Sequence, residues 1–341
     1  MNLREGLGFL HLSQQEKQAY KIMLKAFSLR LESFDCSEVD RNVDLMKVIQ
    51  TALGDNPSVI YFDKTKIQIE KSGAEKQIHL TGVVPKLQGE KMNLALDKAA
   101  SKIATTLKKA SSNQYSLLIN LYEYLQKNVQ YDNKEYQAIA KGKNKNLVSH
   151  NAYGALINKV AVCDGFSSAF ALLAQKLGFK CMLVFGRSSY ISTSLSNHAW
   201  NIVKARNQYY HFDITWDARK YNEFSQLSYV YFALSDEEII RDHKWSKTST
   251  PVCKDNSYSY YSRNGLYVND KEQLNEVITE FCKGRDNILQ IKLSRNIKFP
   301  DNAGKYLIQM ILNEITKPGM RTKASYNWNE NTRSFFARII K

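Results

Sequence analysis

The chain has no CxxC pair. Its five cysteines, Cys36, Cys163, Cys181, Cys253 and Cys282, are scattered over 341 residues. So odd and sparse a set argues against a disulfide framework and against a thiolate zinc site. The six histidines show no HExxH or comparable ligand spacing, so no metal and no cofactor is expected. No window holds the run of roughly 18 apolar residues that a membrane span needs. The amino terminus, MNLREGLGFLHLSQQEK, has a single arginine, a short broken apolar stretch and no small-residue cleavage site. No signal peptide is read there. Repeats and low-complexity tracts are missing too.

What is present is a globular composition, 43% hydrophobic and 24% charged, in a chain long enough for two or three domains. The formal net charge of +15 favours acidic partners. No aromatic-and-basic RNA-recognition motif or helix-turn-helix signature accompanies it. The densest basic run, KGKNKN from Lys141 to Asn146, reads as a solvated loop. A nucleic-acid partner is therefore weakly supported, and the charge is read as abundant lysine.

Apolar spacing predicts a helix over Gln14–Leu31, with Ser13 as its N-cap, and another over Val39–Leu53. Short strands follow at 58–62, 66–70 and 77–84. Together these predict a small α+β N-terminal domain ending near Pro85, followed by a helix over Gly89–Lys109. Ser111-Ser112-Asn113 marks a boundary and caps a helix to about Val129. After Pro251 the pattern restarts: strand at 266–268, helix over Lys271–Cys282, strand over Ile288–Leu293, helix over Asn302–Ile315, strand over Ser334–Ile340. That alternation predicts a small C-terminal α/β domain. The expected domains are 1–112, 113–250 and 251–341.

The chemistry lies in the middle third. In KVAVCDGFSSAF, Cys163 precedes Asp164-Gly165, and Phe166, Phe170, Leu173 and Leu177 then fall three or four apart on one helical face. Gly178 is a good helix stop. Cys163 thus opens a helix, where the positive end of the dipole and the unpaired N–H groups favour thiolate over thiol. Gly165 is expected to leave room for a substrate backbone.

A nucleophilic cysteine needs a base, and the base an orienting group. Two alternating runs in NHAWNIVKARNQYYHFDITWD flank Arg206-Asn207, which reads as a hairpin tip. With a two-residue loop, position 200 pairs with 213 and position 198 with 215, so His198 and Asp213 become diagonal neighbours on one face. A loop of odd length would separate them. Taken singly, each residue has a plainer account: a free cysteine is usually a small core residue, a strand histidine or carboxylate is usually structural, and the aromatics build cores. Jointly, a helix-opening cysteine with a face-matched His and Asp favours a nucleophile.

VCDGFSSAFALLAQKLGF, NHAWNIV and YYHFDITWD resemble, in order and spacing, the three motifs of bacterial transglutaminase-like cysteine proteins. The resemblance extends to YEYLQKNVQYD, SHNAYGALINK and YVYFALSDEEIIRDH, covering about 113–245. It implies an α+β papain-like core, in which the helix bearing Cys packs on an antiparallel sheet carrying His and Asp. Residue by residue it makes Cys163 the nucleophile, His198 the base and Asp213 its orienter. Asp164 departs from the pattern, standing where Gln is commoner, and its charge would oppose a thiolate unless it points away. The Cys163 amide is the first oxyanion donor expected, Tyr153 a candidate second, and Trp200 and Trp216 candidate walls of the cleft.

The implied chemistry is acyl transfer from a protein or peptide amide through a Cys163 thioester. Three functions follow: a cysteine peptidase or amidase first, a cross-linking transglutaminase second, and a non-catalytic scaffold for a protein or cell-surface partner last. Peptide-N-glycanase chemistry ranks lower, since its CxxC pairs are missing. Unpaired thiols fit a reducing cytoplasm; a secreted or cell-surface place is the alternative if a leader has been removed.

Overall fold

The structure is a computed structural model and describes residues 3–64, 66–143, 147–189, 195–224, 226–299, 302–315 and 323–340. Its centre is the helix Cys163–Lys176, in which every residue from Gly165 to Gln175 is buried. A helix buried on all sides has to be enclosed on all sides. One wall is a five-stranded sheet with every pairing antiparallel, ordered (His243–Lys244), (Lys180–Ser188), (Ser196–Ala205), (Gln208–Phe212), (Phe232–Leu234). Helices Gln114–Asn128, Lys86–Lys109 and Ile214–Phe224 pack around the rest.

The first half of the chain feeds the same core. Helix Gln14–Leu29 opens with a capping box between Ser13 and Glu16. The helix expected from Val39 starts only at Leu45, because the Asp44 carboxylate accepts the Lys47 amide at 3.1 Å and fixes the cap there. The 58–62 run forms no strand; Phe62 makes one isolated bridge to Gly82. The small sheet instead takes its third strand from Ser33–Asp35, alongside Glu75–His79 and Gln68–Ser72. Buried residues from Leu7 to Tyr261 make one hydrophobic cluster.

A second cluster runs from Val268 to Ile339. Here helices Lys271–Lys283 and Ala303–Ile315 pack beside a four-stranded mixed sheet, ordered (Tyr267–Val268), (Ile288–Leu293), (Ser334–Ile340), (Lys323–Asn329). The edge strand Lys323–Asn329 was not foreseen. Its first five residues are exposed, so it lacks the alternation that betrays a half-buried strand.

Candidate active site

Cys163 is the first residue of its helix and is partly exposed. It opens into a cleft of about 950 Å³, lined also by His198, Asp164, His150, Tyr131, Trp216, Lys64 and Arg219. Gly165 is needed at this helix start, but not to admit a substrate. A Cβ there would collide with the Ser149 carbonyl and the Ala161 methyl. The same Ser149 carbonyl accepts the Val162 amide at 3.0 Å. The glycine thus lets the turn Leu147–His150 press against the Cys163 helix.

His198 arrives on the hairpin. Strands Ser196–Ala205 and Gln208–Phe212 pair from Ala205↔Gln208 to Asn201↔Phe212, so Arg206–Asn207 is a two-residue loop. The ladder stops at Phe212, and the ITWD run that reads as strand starts a helix at Ile214. Asp213 is the hinge between the two. Its amide donates to the Tyr231 carbonyl at 3.1 Å. Its Oδ1 accepts the Thr215 and Trp216 amides at 3.0 and 3.3 Å, capping the helix. Its Oδ2 meets His198 Nε2 at 2.7 Å.

With Nε2 so engaged, the His198 ring also faces the Cys163 side chain, which lines the same cleft and acts on its charge. Burial alone would push the His198 pKa down; Asp213 and Cys163 outweigh it and raise it to about 9. Burial likewise opposes ionisation of Asp213, yet His198 and His243 hold its carboxyl well below the usual range. The pair is therefore charged at neutral pH.

His243, which had no role in the sequence reading, touches the same carboxylate. Its Nε2 lies 3.1 Å from Asp213 Oδ2 and its Nδ1 2.6 Å from Asp242 Oδ1. Carboxylates only accept, so a ring bonded to two of them carries both protons. Burial opposes that charge, but Asp213 and Asp242 raise the His243 pKa. Tyr231 donates its hydroxyl to Asp242 at 2.8 Å. Gly186 makes the room: a Cβ there would strike the Lys244 carbonyl and the Trp200 ring. The one sequence signal was the closing DH of the last matched motif.

Asp164 does point away. Its Oδ2 meets His150 Nδ1 at 2.8 Å, and His150 Nε2 meets Glu135 Oε1 at 3.0 Å. Burial would lower the His150 pKa, but Asp164 and Glu135 raise it. Lys64, which lines the cleft and donates to Ser168 Oγ at 3.3 Å, also faces the Asp164 charge. The carboxylate next to Cys163 is thus matched by cations.

The candidate walls divide. Trp216 lines the cleft with its ring 5.5 Å from that of His198. Trp200 is fully buried and does not line it. Lying two strand positions from His198, it backs the imidazole at 5.9 Å and sends its indole N–H to His211 Nδ1 at 3.0 Å. Tyr153 is not in the cleft lining either; it packs against the core just before the turn Gly154–Asn158. Tyr131 reaches the cleft instead.

Among the described residues, two groups bring metal-ligating atoms within 4.8 Å of one another, His198/Asp213/His243 and His211/Asp236/Cys253. In both, histidine nitrogens face carboxylate oxygens at hydrogen-bonding distance. Such nitrogens carry protons, whereas a metal needs their lone pairs. The donor sets are built for hydrogen bonds.

Among known proteins, the family model described as the transglutaminase-like superfamily matches residues 101–214, about a third of the chain. No curated protein matches. Among solved structures the chain is similar to a TGase, at 14% identity and TM-score 0.34 over 44% of this chain and 43% of that one. It is also similar to a candidate cysteine protease from Cytophaga hutchinsonii, at 14% identity and TM-score 0.28 over 44% and 61%. A candidate protease from Parabacteroides distasonis has 7% identity and TM-score 0.30 over 80% and 61%. The chain thus spans less than two thirds of the length of each. The segment that matches the transglutaminase-like superfamily model contains Cys163, His198 and Asp213.

Proposed function

We propose that the protein is a cysteine peptidase or amidase acting on protein or peptide amides. The observation that carries this reading is the line from Cys163 at its helix start, through His198, to Asp213 behind it, open to one cleft. The Cys163 thiolate attacks the amide carbonyl carbon, and the Cys163 amide N–H holds the oxyanion. The C–N bond breaks as imidazolium His198 hands its proton to the leaving amine, leaving a thioester. His198 then takes a proton from water, the hydroxyl attacks the thioester, and the C–S bond breaks to restore the thiolate. Asp213 fixes the ring and balances its charge throughout. A primary amine in place of water would give a cross-link, the transglutaminase outcome.

The test is the iodoacetamide labelling rate of each cysteine at pH 6, read by mass spectrometry in wild type and His198→Ala. Ordinary thiols are almost wholly protonated at that pH and react slowly. Fast labelling of Cys163 alone, lost in the variant, is the expected result. Labelling no faster than the buried cysteines would favour the scaffold. With an active preparation, capture of a fluorescent primary amine separates transfer from hydrolysis.

A further inference from the structure

We propose that His150 is a positioning residue for Cys163: its charge clasps the neighbouring Asp164 carboxylate and so keeps the sulfur reactive as a thiolate. The inference rests on the acyl-transfer reading of the cleft and deepens it. Asp164 follows Cys163 directly and lines the same cleft, with its side chain only 16% exposed. A poorly hydrated negative charge there opposes a second one on the sulfur. His150 removes the conflict. Its Nδ1 lies 2.8 Å from Asp164 Oδ2 and its Nε2 3.0 Å from Glu135 Oε1. Carboxylates only accept, so the ring between them holds both protons and a positive charge. Burial opposes that charge, but the two carboxylates outweigh it and raise the His150 pKa.

The clasp is held by the backbone around it. Asp132 sets both of its arms. Its Oδ1 accepts the Glu135 amide at 3.0 Å, capping the helix Asn133–Ala140, and its Oδ2 accepts the Ser149 hydroxyl at 2.6 Å. The first bond places Glu135, and the second places the turn that ends at His150. Asp164 turns its Oδ1 to the Gly165 amide at 3.1 Å and leaves Oδ2 to the ring. Lys64 and Tyr131 also face Asp164. The Lys64 ammonium bonds Ser168 Oγ, at 3.3 Å, and burial pulls its pKa down against the attraction of Asp164. Tyr131, whose pKa burial pushes up, brings no positive charge. His150 is therefore the cation in direct contact with the carboxylate beside the sulfur.

The test is the iodoacetamide labelling rate of Cys163 in the full-length protein at pH 6 and at pH 9. At pH 6, His150→Ala should label about tenfold slower than wild type, because the Asp164 charge is left against the sulfur. The gap should shrink to about threefold or less at pH 9, where an ordinary thiol is mostly ionised. A merely displaced cysteine would stay slow at both. In an Asp164→Asn background, adding His150→Ala should change the pH 6 rate by about twofold or less, since the charge to be balanced is gone. If His150→Ala misfolds, His150→Asn takes its place: it offers Asp164 a donor without the charge, and should show the same pH-dependent loss and the same rescue. His150 variants that label at the wild-type rate overturn the inference, as does a loss that persists at pH 9 or in the Asp164→Asn background. Fast labelling of wild type would still uphold the enzyme in those cases. Slow labelling of wild type overturns the acyl-transfer reading, and this inference with it.

Discussion

Among the described residues, two clusters contain a cysteine, a histidine and an aspartate, and they lie on either side of one tryptophan. In the first, Cys163 and Asp213 flank His198. In the second, His211 Nε2 meets Asp236 Oδ1 at 2.8 Å, the Cys253 amide donates to the same oxygen at 3.3 Å, and the Cys253 thiol turns to the Pro251 carbonyl at 3.8 Å. His211 Nδ1 is already filled by the Trp200 indole N–H. An indole only donates, so that nitrogen is bare of a proton and His211 is neutral. Burial, against the pull of Asp236, pushes its pKa down. Burial and Asp236 push the Cys253 thiol up, and that residue is buried. The same three residue types make a charged pair facing a cleft in one place and a neutral strut in the other. Connectivity and access decide the chemistry; composition does not.

The sharpest way to break this contrast is to remove each sulfur in turn. Cys163→Ala should abolish turnover, a loss of about 10³-fold or more, and leave no fast-labelling cysteine. Cys253→Ser should keep kcat within about twofold and lower only the melting temperature. A fast-reacting Cys253, or an active Cys163→Ala protein, would mean that the wrong cluster has been taken for the site.

The two carboxylates come next. Asp213→Asn should lower kcat by about 10² to 10⁴-fold, since it removes the charge that supports the imidazolium. Asp236→Asn should cost no more than a few-fold. In wild type the rate should fall as pH rises through about 9, where His198 loses its proton; in Asp213→Asn that limb should move to lower pH. The stability sign agrees. His198 stands above its ordinary 6.5, so its contribution is complete below pH 6.5 and lost between there and about 9. Asp213 is depressed, so its contribution holds above the ordinary carboxyl value of 3.8 and disappears as pH falls below it. His243→Ala should cost about 10 to 10²-fold in kcat by loosening Asp213. It should also shift the alkaline limb upward, because Asp213 would no longer share its charge with a second cation. A purely structural role would leave that limb in place.

The sequence made the first cluster legible for a definite reason. A two-residue loop at Arg206–Asn207 and a period of two place His198 and Asp213 on one face, and that arithmetic survives although Asp213 turns out to be a helix cap instead of a strand residue. The Cys163 helix was readable from its apolar spacing. His243 was not, because it reaches Asp213 from a two-residue strand, His243–Lys244, paired with the far edge of the sheet. No local pattern encodes so short a contact. The clasp of Asp164 by His150 also joins residues 14 positions apart through a turn that only the missing Cβ of Gly165 permits. Trp200 was misread for the opposite reason. A tryptophan two residues from a candidate catalytic histidine suggests a cleft wall, and nothing local said that its partner was His211.

That tryptophan supplies the smallest test and the most searching one. Trp200 touches both clusters, its ring 5.9 Å from His198, 4.8 Å from His243 and 6.4 Å from His211. Trp200→Phe keeps an aromatic ring behind His198 but takes away the donor to His211 Nδ1. The orphaned buried acceptor should cost about 1 to 3 kcal/mol, read as a lower melting temperature. In the same variant His211 should titrate closer to an ordinary histidine, followed by NMR, because its second nitrogen becomes free to take a proton. The rate should change by about threefold or less, since neither Asp213 nor the Cys163–His198 contact depends on the indole N–H. A drop in kcat matching that of Asp213→Asn would instead join the two clusters into one catalytic unit, with Trp200 as its link.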